Sequence, residues 1–128
     1  ILHDLVFPIE VVKFLYLFTQ ASYGQSIARE ALDMALATAA FDQQVGLVFA
    51  QDAIYQLLSE QNRGNTEKKP HIGVINALPL YEVEDLYFIS EDCSSRNISP
   101  AMLVPHAKAL SSTQLADLLR SADRIQSF

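Results

Sequence analysis

The sequence predicts an α/β fold in three layers: a mainly parallel sheet of about five strands with helices on both faces. Three observations carry this. Short runs of β-branched and aromatic residues alternate with stretches whose apolar residues recur at helical spacing. The runs are apolar at nearly every position instead of every second one, the pattern of strands covered on both sides. Half of the 128 residues are hydrophobic and only 19% are charged. A chain of this length buries roughly two-thirds of its unfolded surface, so that apolar share calls for a fully covered sheet, a partner surface, or both.

The elements follow in order. Residues 1–10 (ILHDLVFPIE) read as an N-terminal extension: apolar, but without the basic start and small-residue cleavage pattern of a signal peptide. Residues 11–128 read as a single domain. Val11 to Phe18 (VVKFLYLF) suits a strand buried on both faces. The loop TQASYGQS follows, with Gly24 free to take positive φ and Ser26 placed to cap a helix. Glu30 lies near the positive end of that helix, Leu32, Ala35, Leu36 and Ala39 form its apolar stripe, and Arg29 and Asp33 are spaced to pair. Val45 to Phe49 is the second strand, and Asp52 is placed to cap a short helix carrying Ile54, Leu57 and Leu58. Ser59 to Pro70 is a polar loop, His71 to Ala77 a helix ended by Pro79, and Leu86 to Ile89 the third strand. SEDCSSRN reads as a polar turn and Met102 to Val104 as a short fourth strand. Ser111 and Gln114 make a capping box for a last helix with Leu115, Leu118, Leu119 and Ala122 inward, and RIQSF closes the chain as a strand. Strands and helices in this alternation imply right-handed crossovers and parallel pairing.

Composition excludes several functions. Nine basic residues against fifteen acidic ones give a net charge of −6. Phosphate backbones and anionic membranes are gripped by clustered Lys and Arg. Lys68 and Lys69 are adjacent, but Glu67 precedes them and no basic stripe follows, so neither partner is expected. The lone cysteine, Cys93, excludes an internal disulfide and fits a reducing, cytoplasmic setting. No apolar run reaches the roughly eighteen residues that span a bilayer. His3, His71 and His106 stand in separate segments without a ligand at metal-binding spacing, so no metal or other cofactor is expected, and His106 reads as an exposed loop residue.

Few residues remain for chemistry. Ligands of open parallel sheets gather beyond the carboxyl ends of the strands. There SYGQS could cradle an anion, as in a free-standing nucleotide-binding domain, yet with one glycine and no phosphate-loop lysine it reads as a tight turn. Tyr23 at its tip suits packing or an interface. Asp52 lies on the same edge, with Tyr55 one turn on. Cys93, past the third strand, could carry a sulfane sulfur if Arg96 lowered its pKa, but Glu91 and Asp92 oppose the thiolate. A structural cysteine is the preferred reading.

Several strings together resemble one family: KFLYLFTQASYGQSIAREALDMALATAAFDQQVGLVFAQDAIYQLL, ALPLYEVEDLYFIS and the closing SADRIQSF. From about Val12 onward the chain is similar to the DsrE/DsrF-like superfamily, and within it to the TusC/DsrF branch. That resemblance implies a DsrE/F-like fold, no enzymatic activity of its own, and assembly with TusB-like and TusD-like subunits into a TusBCD/DsrEFH-type heterohexamer, a dimer of heterotrimers. Such a complex relays persulfide sulfur, through a TusE-like downstream acceptor, towards 2-thiolation of tRNA wobble uridine. The DsrEFH counterpart serves cytoplasmic sulfur oxidation. The persulfide cysteine belongs to the TusD-type sister, at a place matched here near Ile89, while the second-strand cysteine of some DsrF-type chains is matched by Gly46. The resemblance therefore implies a supporting subunit, with Cys93 as the alternative persulfide carrier. Asp52-Ala53 replaces the family's frequent Asp-Gly, and Pro79 stands where relatives commonly have Gly. Tyr23, Gly24, Asp52 and Tyr55 are the expected interface residues.

Overall fold

The computed structural model describes residues 14–21, 27–41, 43–59 and 71–128. The chain runs β1 (Phe14–Phe18), α1 (Ile27–Ala39), β2 (Val45–Phe49), a 3₁₀ helix (Gln51–Leu57), α2 (His71–Ala77) and a second 3₁₀ turn (Leu78–Tyr81). It continues through β3 (Asp85–Ile89), α3 (Ser90–Ser95), a third 3₁₀ turn (Pro100–Met102), β4 (Lys108–Leu110), α4 (Ser112–Ser121) and β5 (Arg124–Ser127). The sheet has five strands in the order β4-β3-β2-β1-β5, and every neighbouring pair is parallel. The α/β sheet expected from the sequence is therefore present.

Strand alternation builds the two sides of the sheet. Tyr16 and Phe18 of β1, Leu47 and Phe49 of β2, and Leu86 and Phe88 of β3 point to one face, where Leu32 and Ala35 of α1, Ile54 and Leu57, and Ile75 of α2 cover them. Leu15, Val48, Tyr87 and Ile89 point to the other face, onto Leu118 of α4, with Leu115 and Leu119 packed alongside. All five residues of β2 and of β3 are buried, which is why Val45–Phe49 and Leu86–Ile89 read as apolar runs; Asp85, which opens β3, is a buried carboxyl that accepts from Tyr87 Oη at 3.5 Å. The stripe anticipated for α1 is the packed one: Leu32 and Ala35 are buried, with Leu36 and Ala39 against the same core. Phe128 secures the chain's end. It stacks on Tyr16 at 5.9 Å, and its backbone N–H donates to Leu17 O while its carbonyl accepts from Thr19 N.

The structure corrects four sequence expectations. The fourth strand is Lys108–Leu110, not 102–104: Pro100 opens a 3₁₀ turn, and Leu103 forms only an isolated antiparallel bridge with Leu58. Pro105, without an N–H, could not have carried a ladder onward. SEDCSSRN is not a turn throughout but opens as α3, drawn inward by buried Cys93 and stopped at Asn97, whose φ is 55°. Asp52 caps nothing, since the cap position of its helix is Ala50. His106 is no exposed loop residue but half-buried, its Nε2 3.0 Å from Ile75 O. The expected parts Val11–Lys13, Ser26 and 60–70 lie outside the described residues, as does the 1–10 extension.

Candidate functional site

Parallel strands end together. β1, β2 and β3 are aligned so that Phe18 pairs with Phe49 and Phe49 with Phe88, and the segments leaving them meet at one edge. Beyond β2 the backbone turns sharply: Gln51 adopts φ 53°, a left-handed conformation costly for a residue with a Cβ. Its N–H donates to Asp92 Oδ2 at 2.7 Å, which holds the turn from across the edge. The bend after β2 is thus taken by Gln51, the residue preceding Asp52.

Arg96 organises the centre. Its Nε and Nη2 both lie 3.0 Å from Asp52 Oδ1, and Nη1 reaches the Asp92 carbonyl at 3.2 Å and Ser95 Oγ at 2.9 Å. Nη1 is also 3.8 Å from Asp92 Oδ1. On the other flank Glu91 Oε2 accepts from Ser112 N at 3.2 Å and Ser112 Oγ at 3.1 Å, at the start of α4. These bonds, led by those from the backbone N–H groups of Glu91 and Ser112, hold the Glu91 carboxyl below the usual range. The short helix α3 therefore ties the segment after β2 to the segment after β4. Gln56, buried in the 3₁₀ helix, adds the segment after β1 by donating to Gln20 O at 2.7 Å. Sequence reading missed Gln56; its one signal was a lone amide in the otherwise apolar run AIYQLL.

Cys93 faces the other way. It is 2% exposed and packs in the core with the α1 and α2 face of the sheet. Burial pushes its thiol upward, Asp92 pushes in the same direction, and Arg96 only partly opposes them. Ile89 and Gly46, the positions that the resemblance sets against cysteines, are both buried and neither carries a nucleophile. The edge thus brings together Asp52, Arg96, Asp92 and Glu91, with Asp52 exposed and Tyr55 half-buried against the core. Tyr23 and Gly24 lie outside the described residues. Among the described residues no group of His, Cys, Asp and Glu is placed to hold a metal ion, and no helix is long and apolar enough to cross a membrane.

The DsrE/DsrF-like family model matches residues 12–128, nearly the whole chain. The chain belongs to the DsrE/DsrF-like family. Relatives within it include the Protein TusC homolog of Vibrio parahaemolyticus, 33% identical over 88% of this chain and 96% of its own length. The Protein TusC homolog of Pseudomonas aeruginosa is 33% identical over 87% of this chain and 93% of its own. Protein TusC of Klebsiella pneumoniae is 31% identical over 67% of this chain and 72% of its own. Among solved structures, the ychN protein from E. coli superposes with a TM-score of 0.79 at 22% identity, covering 91% of this chain and 99% of that one. The DsrE-like fold expected from the strings is therefore shared.

Proposed function

We propose that this chain is a non-catalytic subunit of a TusBCD/DsrEFH-type heterohexameric sulfur-relay complex, supporting persulfide transfer for 2-thiolation of the tRNA wobble uridine in the cytoplasm. The placement rests on its kinship with TusC proteins over most of its length. The observation that carries the supporting role is the burial of the chain's one cysteine. In a relay step an acceptor thiolate attacks the outer sulfur of a persulfide, the S–S bond breaks, and the donor leaves as thiolate. Both sulfurs must be reachable and both groups must ionise readily. Cys93 has neither property: it is in the core and its thiol is pushed upward.

In this reading TusB-like and TusD-like subunits complete a dimer of heterotrimers, the TusD-like sister holds the persulfide, and a TusE-like protein receives it. The cross-tied carboxyl edge offers a rigid rim beside that chemistry, with Asp52 and Tyr55 towards the sister subunits. The chain's acidic balance fits a partner of proteins, with nucleic acid engaged only by the complex. The test is co-expression of tagged chain with the TusB-like and TusD-like neighbours and native mass determination. A two-copies-of-each hexamer is the expected product. A chain that elutes alone, without either neighbour, refutes the assignment.

A further inference from the structure

A second surface lies at the opposite, amino edge of the sheet. A cleft of about 440 Å³ opens there between the end of α1 and the turn that leads into β3, lined by Ala39, Gln44, Val45, Tyr81, Glu82 and Asp85, among others. No lysine or arginine among the described residues lines it. Large apolar side chains stand out beside it: Leu80 is 84% exposed, Phe41 75% and Tyr81 59%. They are the three most exposed large hydrophobic residues among the described ones. Leu80 and Tyr81 line the cleft and Phe41 lies between its lining residues Ala40 and Gln43 in the chain, and exposed apolar patches mark interaction sites.

The patch is built stiffly. Leu80 and Tyr81 sit on a 3₁₀ turn opened by Leu78-Pro79 and closed by Glu82, whose φ of 63° is left-handed. Glu82 N donates to Pro79 O at 3.0 Å and Val83 N to Leu78 O at 3.1 Å, and both Leu78 and Val83 are buried anchors. On the facing side Phe41 N donates to Thr38 O at 3.2 Å, and Gln43 Nε2 donates to Phe41 O at 3.2 Å. Turns whose backbone is already fixed lose little further freedom when a partner covers them.

The cleft's chemistry selects its occupant. Glu82 lines the cleft and Glu84 follows it two residues on; both are exposed and neither is ion-paired within the described residues, whereas the Asp85 carboxyl is buried and accepts from Tyr87 Oη at 3.5 Å. Carboxyl groups beside aromatic rings suit a guanidinium or ammonium group, which gains from both. Phosphates are repelled. A small polyamine would leave Leu80 and Phe41 in water, whereas a peptide segment can cover them.

We propose that this amino-edge cleft docks a segment of a sister subunit that presents a lysine or arginine between apolar side chains. The basic head pairs with Glu82 beside the Tyr81 ring, and its apolar neighbours cover Phe41, Leu80 and Tyr81. The inference rests on the subunit reading above and adds to it a contact surface away from the carboxyl edge.

The test uses the complex co-expressed with its TusB-like and TusD-like neighbours. The photo-crosslinker p-benzoylphenylalanine replaces Tyr81, and affinity is measured separately for Glu82→Lys and Glu82→Gln. The expected result is an adduct from position 81 to a sister subunit at a segment containing Lys or Arg. Glu82→Lys is expected to weaken assembly about tenfold or more, Glu82→Gln less, with the loss by Glu82→Gln shrinking at high salt. An unchanged thermal midpoint for both isolated variants shows that the fold is intact. A complex that forms normally but gives no adduct at 81, or one only to the same chain or a second copy of it, overturns the docking surface and leaves the subunit reading standing. Unchanged affinity for Glu82→Lys overturns it equally. No complex with the unmodified chain overturns both.

Discussion

Cys93 can be made to report its own environment by alkylation with iodoacetamide, in the folded protein and in urea at the same pH. An ordinary exposed thiol with a pKa of about 8.5 is about 3% thiolate at pH 7. In the folded chain burial and Asp92 push the thiol higher, so that fraction is smaller still. Access is the larger effect. The side chain is 2% exposed within the core, so reagent reaches it only when α3 opens. An opening cost of about 3 kcal/mol, modest beside typical global stability, slows alkylation roughly 150-fold. The account predicts protection of at least about 100-fold over the urea-unfolded chain. Asp92→Asn should lower the thiol pKa and Arg96→Ala raise it, the signs set by the removed charges. Because the folded-state pKa is raised, the thiol's contribution to stability is complete below the ordinary thiol range and declines as pH rises through it. A native rate within about tenfold of the unfolded one would refute the reasoning and return Cys93 to the role of carrier.

Further outcomes follow from the carboxyl edge. Arg96→Ala should cost about 1 kcal/mol or less, since Asp52 is largely exposed, and lower the thermal midpoint by a few degrees in scanning calorimetry. Gln56→Ala should cost more, about 2–3 kcal/mol by urea titration, because it empties a buried position and strips the Gln20 carbonyl of its donor. Ser112→Ala should bring the Glu91 titration, followed by NMR, closer to the usual range. With its folded pKa lowered, Glu91 stabilises above the ordinary carboxylate range, and that contribution is lost as pH falls through the lowered value.

What could be read in the sequence was what depends on local pattern. Val45–Phe49 and Leu86–Ile89 announce themselves because burial on both faces leaves no charged position, while Asp85, which opens β3 as a buried carboxyl, falls outside that pattern. The cap of α4 is equally local: Ser111 Oγ accepts from Gln114 N, and Gln114 Oε1 from Ser111 N. The fourth strand was misplaced because Met102 to Val104 is the more apolar run, whereas Lys108–Leu110 is an edge strand with two exposed residues, and its pairing depends on β3. The carboxyl-edge network was illegible for a related reason. Asp52 and Arg96 are 44 residues apart, Gln51 and Asp92 are 41, and no spacing rule joins them until β2 and β3 lie side by side. For Cys93 the sequence favours a structural role and leaves a carrier beside Arg96 as the alternative; the turn of α3 sends its sulfur into the core. The amino-edge cleft had no signature beyond three apolar residues, which only the fold shows to be uncovered.

The central claim is that this chain supports a sulfur relay without carrying the sulfur. The most direct measurement is transfer of labelled sulfane sulfur through the proposed complex, reconstituted with TusB-like and TusD-like subunits, wild type against Cys93→Ala. Alanine keeps the buried position apolar and removes the sole thiol of the chain. The account predicts an intact hexamer that relays label at the wild-type rate. An intact hexamer that no longer passes label would contradict it and make Cys93 a link in the relay.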